Sequence, residues 1–119
     1  MPLRIDTLDA RQFGQIQSGA VYLLHAPVPV LIESGTAASH DVVLRALGDV
    51  EPAYVFLTHI HLDHAGGAGY LARALPDCTI VVHERGLRHL LDPSRLIEGV
   101  RSASPDLFPS YGTPIPIPA

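Results

Sequence analysis

The sequence predicts an α/β or α+β domain built on one sheet with flanking helices. Short apolar, β-rich runs recur at 19–25, 30–33, 53–57 and 79–83, and helix-length segments separate the later ones. No internal repeat competes with that order.

The first two runs are joined by Ala26-Pro27-Val28-Pro29, a connection short enough for a hairpin or for adjacent strands. Ser34-Gly35-Thr36 ends the second strand. A helix is predicted from His40 to Leu47, with Ser39 as N-cap, Asp41 at the positive end of the dipole and Gly48 as the stop. Ala53–Leu57 is apolar without alternation, which predicts a strand covered on both faces, with Tyr54 and Phe56 in the core. A second helix is expected from Ala65 to Leu75, stopped by Pro76, and a strand from Thr79 to His83. Glu84–Leu91 and Pro93–Glu98 read as short helices, Asp92 capping the latter. Five of the eleven prolines fall in residues 105–119, so this segment is predicted to be extended. The expected division is therefore a domain at 1–104 and a proline-rich tail or connection at 105–119.

Composition excludes several classes. Hydrophobic residues make up 47% and charged residues 17%, which rules out a disordered, charge-rich chain. No apolar run approaches the roughly 20 residues of a membrane span. The start of the chain lacks the apolar stretch of a secretion signal, and the one cysteine, Cys78, has no partner within the chain. A cytoplasmic location is the expectation. With a net charge of −4 and its eight arginines dispersed, the chain is not expected to bind nucleic acid or a membrane.

The chemistry concentrates in Thr58-His59-Ile60-His61-Leu62-Asp63-His64. His59 and His61, two apart on an extended segment, project to the same side. Asp63 and His64 follow where the chain turns toward a helix. This spacing suits two neighbouring metal ions, one on His59 and His61, the other on Asp63 and His64. Zinc accepts this mixture of nitrogen and oxygen, as do iron and manganese with other preferences.

Thr58–His64 resembles the T-H-x-H-x-D-H signature of the metallo-β-lactamase-fold hydrolases, a family that includes hydroxyacylglutathione hydrolase. Ala65-Gly66-Gly67 after it agrees, as does Leu31-Ile32-Glu33-Ser34-Gly35, with Glu33 where the family more often has Asp. The resemblance covers about 19–96. It implies an αββα sandwich of two sheets, of which this chain supplies the N-terminal half, with a site for one or two metals between the halves. It further implies hydrolysis of a small-molecule ester, thioester, lactone or phosphoester by metal-bound hydroxide. Asp63 would ligate and orient the nucleophile, Thr58 would support a ligand, and Gly66 and Gly67 would let the backbone pass near the metals and offer amides to an anion.

The family completes its site with a third His on the first metal, a bridging Asp and a last His on the second, all from its second half. After His64 this chain has only His83 and His89. His83, beside Glu84, is a site-lining candidate that does not match the third ligand. The expectation is a partial site, completed by a missing second half or a homo-oligomeric partner. The alternative is a non-catalytic metal-binding or assembly module that pairs with another chain.

Overall fold

The computed structural model describes residues 3–118. A five-stranded sheet runs in spatial order β1 (Arg4–Asp9), β2 (Ala20–His25), β3 (Pro29–Ile32), β4 (Tyr54–Phe56), β5 (Thr79–Val81). The first two pairings are antiparallel and the last two parallel. The parallel pairs require crossovers. Helix α1 (His40–Leu47) makes one; α2 (Leu62–Ala65) and α3 (Ala68–Ala74) make the other. Helices α4 (Glu84–Leu91), α5 (Ser94–Ala103) and α6 (Phe108–Tyr111) follow β5. No helix among the described residues is long and apolar enough to cross a membrane.

The core lies on one face of the sheet. Leu23, Leu31, Val55 and Ile80 share a register row, and the first three are buried with Val43 and Leu47 of α1 and Leu71 of α3. The opposite row, Tyr22, Ile32, Phe56 and Val81, is left partly exposed. Tyr54 and Phe56 are 39% and 40% exposed. The expectation that β4 is covered on both faces, with these two aromatics in the core, is therefore corrected. An unbroken apolar run records what a strand can bury, and here only the Val55 side is covered.

Local chemistry explains the other departures. Strand β1 was not anticipated, because this exposed edge carries alternating charges rather than an apolar run; it is tied to β2 by His25 Nε2, 2.8 Å from Asp6 Oδ2. Helix α1 has the predicted limits, but its approach is fixed by Thr36, whose Oγ1 accepts the Ser39 N–H at 3.1 Å, and the Ser39 side chain caps nothing. The expected single helix after the histidines begins earlier and breaks between Ala65 and Ala68, since the Gly67 N–H leaves the helix for the Gly35 carbonyl. Helix α5 continues past Glu98 to Ala103, and the Glu98 carboxylate accepts from Arg101 and Ser102 one turn on. His40, the first residue of α1, is half-buried and stacks on Tyr70 with ring centroids 4.1 Å apart.

Residues 105–118 pack against the rest. They include α6, and from Gly112 onward they are extended. Pro114 and Ile117 are buried, and the Ile117 N–H donates to the Leu90 carbonyl at 3.0 Å. The strand-like segment crosses α3 so closely that a Cβ on Gly69 would lie 2.1 Å from the Ile115 carbonyl oxygen.

Two glycine-to-alanine changes should therefore have opposite signs. Gly69→Ala is expected to destabilise by about 1–3 kcal/mol through overpacking against backbone. Gly99→Ala, on α5 with open space around it, should stabilise by about 0.5–1 kcal/mol. Urea midpoints at constant m-value measure both.

Candidate metal centre

The centre sits at the C-terminal ends of β3 and β4, where open α/β sheets place their sites. Glu33 leaves β3 with φ 74°, a left-handed conformation that costs a non-glycine residue about 1–3 kcal/mol. That turn points its carboxylate, 5% exposed as a residue, into the loop after β4. Oε1 accepts the Thr58 N–H at 2.7 Å, and Oε2 accepts from His64 Nδ1. One buried carboxylate thus holds both ends of the Thr58–His64 segment. Ser34 adds to the grip, its N–H donating to the His64 carbonyl at 2.8 Å.

The three imidazoles converge. The His59 ring centroid lies 4.9 Å from that of His61 and 4.1 Å from that of His64. Asp63 Oδ2 is 3.4 Å from His64 Nε2. Ligand atoms of Glu33, His59 and His64 all fall within 4.8 Å of one another; Glu33 already accepts from Thr58 and His64, which leaves the imidazoles and Asp63 as the open donors. Zinc takes imidazole nitrogen and carboxylate oxygen, so the donor set fits it.

Hydrogen bonding sorts the ring nitrogens. A carboxylate accepts only, so His64 donates through Nδ1, and in its neutral form the ring keeps a lone pair on Nε2. This is the carboxylate–histidine arrangement that orients metal ligands. His59 Nδ1 is 2.8 Å from Thr58 Oγ1; with that nitrogen donating, its Nε2 is likewise free.

Gly66 and Gly67 serve a nearer neighbour than a metal. A Cβ on Gly67 would lie 2.9 Å from the Ser34 carbonyl oxygen and one on Gly66 3.1 Å from the Ala37 nitrogen. The Gly66 N–H donates to the Leu62 carbonyl and the Gly67 N–H to the Gly35 carbonyl, so the expectation of free amides for an anion is corrected. His83 is outside the convergent group, as N-cap of α4. Tyr111 lines a cavity of about 310 Å³ with His61 and Asp63. Cys78 stays apart, and burial raises its thiol pKa. The feature that sequence reasoning undervalued is Glu33-Ser34; its signal was a polar pair straight after an apolar strand.

The sequence model described as the metallo-beta-lactamase superfamily matches residues 17–118. A hydroxyacylglutathione hydrolase of Salmonella paratyphi A is 35% identical over 69 residues, covering 53% of this chain and 26% of that protein. An archaeal metallo-beta-lactamase superfamily protein from Sulfolobus tokodaii superposes with TM-score 0.74 at 21% identity, over 98% of this chain and 44% of that one. The FEZ-1 metallo-beta-lactamase from Legionella gormanii superposes with TM-score 0.65 at 17% identity, over 98% and 45%. The chain thus spans less than half the length of these relatives.

Glu33→Gln leaves one oxygen for two donors. Zinc affinity is expected to fall about 10- to 100-fold, read by competition with a chromophoric chelator. Unchanged affinity would reduce Glu33 to a fold-stabilising residue.

Proposed function

Because the chain belongs to the metallo-beta-lactamase superfamily, we propose that it carries the histidine-rich part of a metal-dependent hydrolase site acting on a small-molecule ester, thioester, lactone or phosphoester. The convergence of His59, His61 and His64 beside Asp63, held by the buried Glu33 carboxylate, carries this reading.

His59 and His61 form one donor pair, and Asp63 and His64 the other. Zinc is the first choice of metal, two ions when the ligand set is complete, with iron and manganese compatible with the same donors. A metal held there supplies Lewis acidity toward a carbonyl or phosphoryl centre and acidifies water for attack on it. The chain's residues do the rest. Asp63 is the catalytic carboxylate: it accepts a hydrogen bond from the attacking water and so fixes its direction. Thr58 Oγ1 holds Nδ1 of the His59 ring, and Glu33 holds Nδ1 of His64. Leu96, Val100 and Tyr111 give the cavity beside Asp63 an apolar wall for the acyl or ester portion. A cytoplasmic setting suits a chain whose one thiol has no partner within it.

The open sheet face supports a need for a partner. Tyr22, Tyr54, Phe56 and Val81 are each about two-fifths exposed on that face, and contiguous apolar surface of this kind marks an interaction site. A second half of the same fold is the natural cover, bringing further ligands with it. A second copy of the chain is the substitute in its absence.

Metal per chain, measured by elemental emission after dialysis against zinc, tests the site. The chain is expected to retain zinc, and His61→Ala or Asp63→Ala to lower the affinity about tenfold or more. A chain that takes up none would sink the reading. Retained zinc without turnover of thioesters, lactones or phosphodiesters, even as a partnered assembly, would favour a non-catalytic metal-binding module. Light scattering should show concentration-dependent dimers that Phe56→Lys suppresses without changing metal content; a monomer at every concentration would rule out the second copy as cover.

A further inference from the structure

A second cavity, of about 400 Å³, opens on the other side of the candidate metal centre, between Thr58–His59 and helix α4. Its chemistry follows from the register of that helix. Arg85, Arg88 and His89 stand at i, i+3 and i+4, one face of an α-helix. Gly86 and Leu90, also four apart, are the buried face. The helix lies close to its support: a Cβ on Gly86 would be 2.7 Å from Ile60 Cγ2 and 3.2 Å from Val82 Cγ2. This close seating turns the arginine face to the cavity wall, which both arginines line.

Neither arginine has a carboxylate within ion-pair distance among the described residues, and no acidic residue lines the cavity. In a chain of net charge −4, a cavity with two unpaired guanidinium groups and no acid is a local reversal of sign.

His83 adds a donor. Its Nδ1 accepts the Arg85 backbone N–H at 3.1 Å, and a backbone amide can only donate. The neutral ring must then carry its proton on Nε2, the opposite tautomer from His64. His83 is therefore set up as a hydrogen-bond donor, with no free lone pair on Nε2 for a metal.

We propose that this cavity is an anion subsite, in which Arg85, Arg88 and the His83 Nε2–H bind a carboxylate or phosphoryl group of the substrate while its scissile bond lies at His59. Guanidinium groups match both oxyanions, giving charge-assisted bonds. The substrate class narrows to acidic esters and thioesters, or phosphoesters with a free oxyanion. The assignment rests on the reading of His59 as part of a metal centre, and its test is separable from that reading.

The metal-free chain is titrated with succinate and, in parallel, with inorganic phosphate at constant ionic strength, following the imidazole Cε1–H resonances of His83 and His89 by NMR. Saturable shifts at both histidines are expected, with chloride producing none. Arg85→Gln and Arg88→Gln, both exposed substitutions that leave the Arg85 amide in place, should each weaken the apparent Kd about tenfold or more. The tighter probe identifies the anionic group. Non-saturating shifts, or equal affinity in wild type and both variants, would overturn the subsite. Zinc uptake is measured on separate aliquots: uptake without anion binding overturns the subsite alone, and anion binding without uptake overturns the metal reading alone.

Discussion

The geometry of the site depends on one buried carboxylate. Glu33 stands at the end of β3, and its two oxygens receive donors from the two ends of the segment that follows β4. A seven-residue segment bearing three imidazoles and a carboxylate, running from a loop into the first turn of α2, has much side-chain freedom to lose on ordering. Fixing both its ends to a neighbouring strand removes most of that freedom at once. The burial of Glu33 makes each bond worth more than it would be in water, and also makes an unmet oxygen costly. The left-handed backbone of Glu33 is the strain that this arrangement sustains.

The sheet order places that carboxylate where it can act. β3 and β4 are parallel, so their C-terminal ends lie side by side and their loops leave in the same direction. An antiparallel pairing at this point would send one loop to the opposite edge. The switch from antiparallel to parallel pairing at β3 is thus what brings Glu33-Ser34 against Thr58–Gly67. The two glycines allow the remaining approach, the second by passing its N–H to the Gly35 carbonyl.

Much of this was legible in the sequence, for identifiable reasons. The limits of α1 follow from Asp41, Gly48 and the Val43–Leu47 spacing, all local signals. The histidine cluster is equally local, since ligands two to five residues apart need no long-range fold to be noticed. The role of Glu33 was not legible, because its partners Thr58 and His64 lie 25 and 31 residues away and a lone acid after a strand has many uses. The exposure of Tyr54 and Phe56 was missed for a related reason: an apolar run states a capacity for burial, and which faces are covered is decided by other segments. The opposite tautomers of His64 and His83 lay beyond sequence altogether, since each depends on what faces a single ring nitrogen.

Helix α4 is held from two sides, by Gly86 against Ile60 and by the Leu90 carbonyl, which accepts from Ile117. A wall fastened in this way is not a lid. Its cavity exists before any ligand arrives, so no closing motion need precede or follow capture, and association can proceed as fast as diffusion and steering allow. The steering is short-ranged, because an anion nearing an acidic protein meets repulsion until the arginine face dominates its field. Added salt then has two opposed actions on the rate of capture, screening the distant repulsion and the local attraction together. The balance between them is set by the placement of a few charges on one turn of helix.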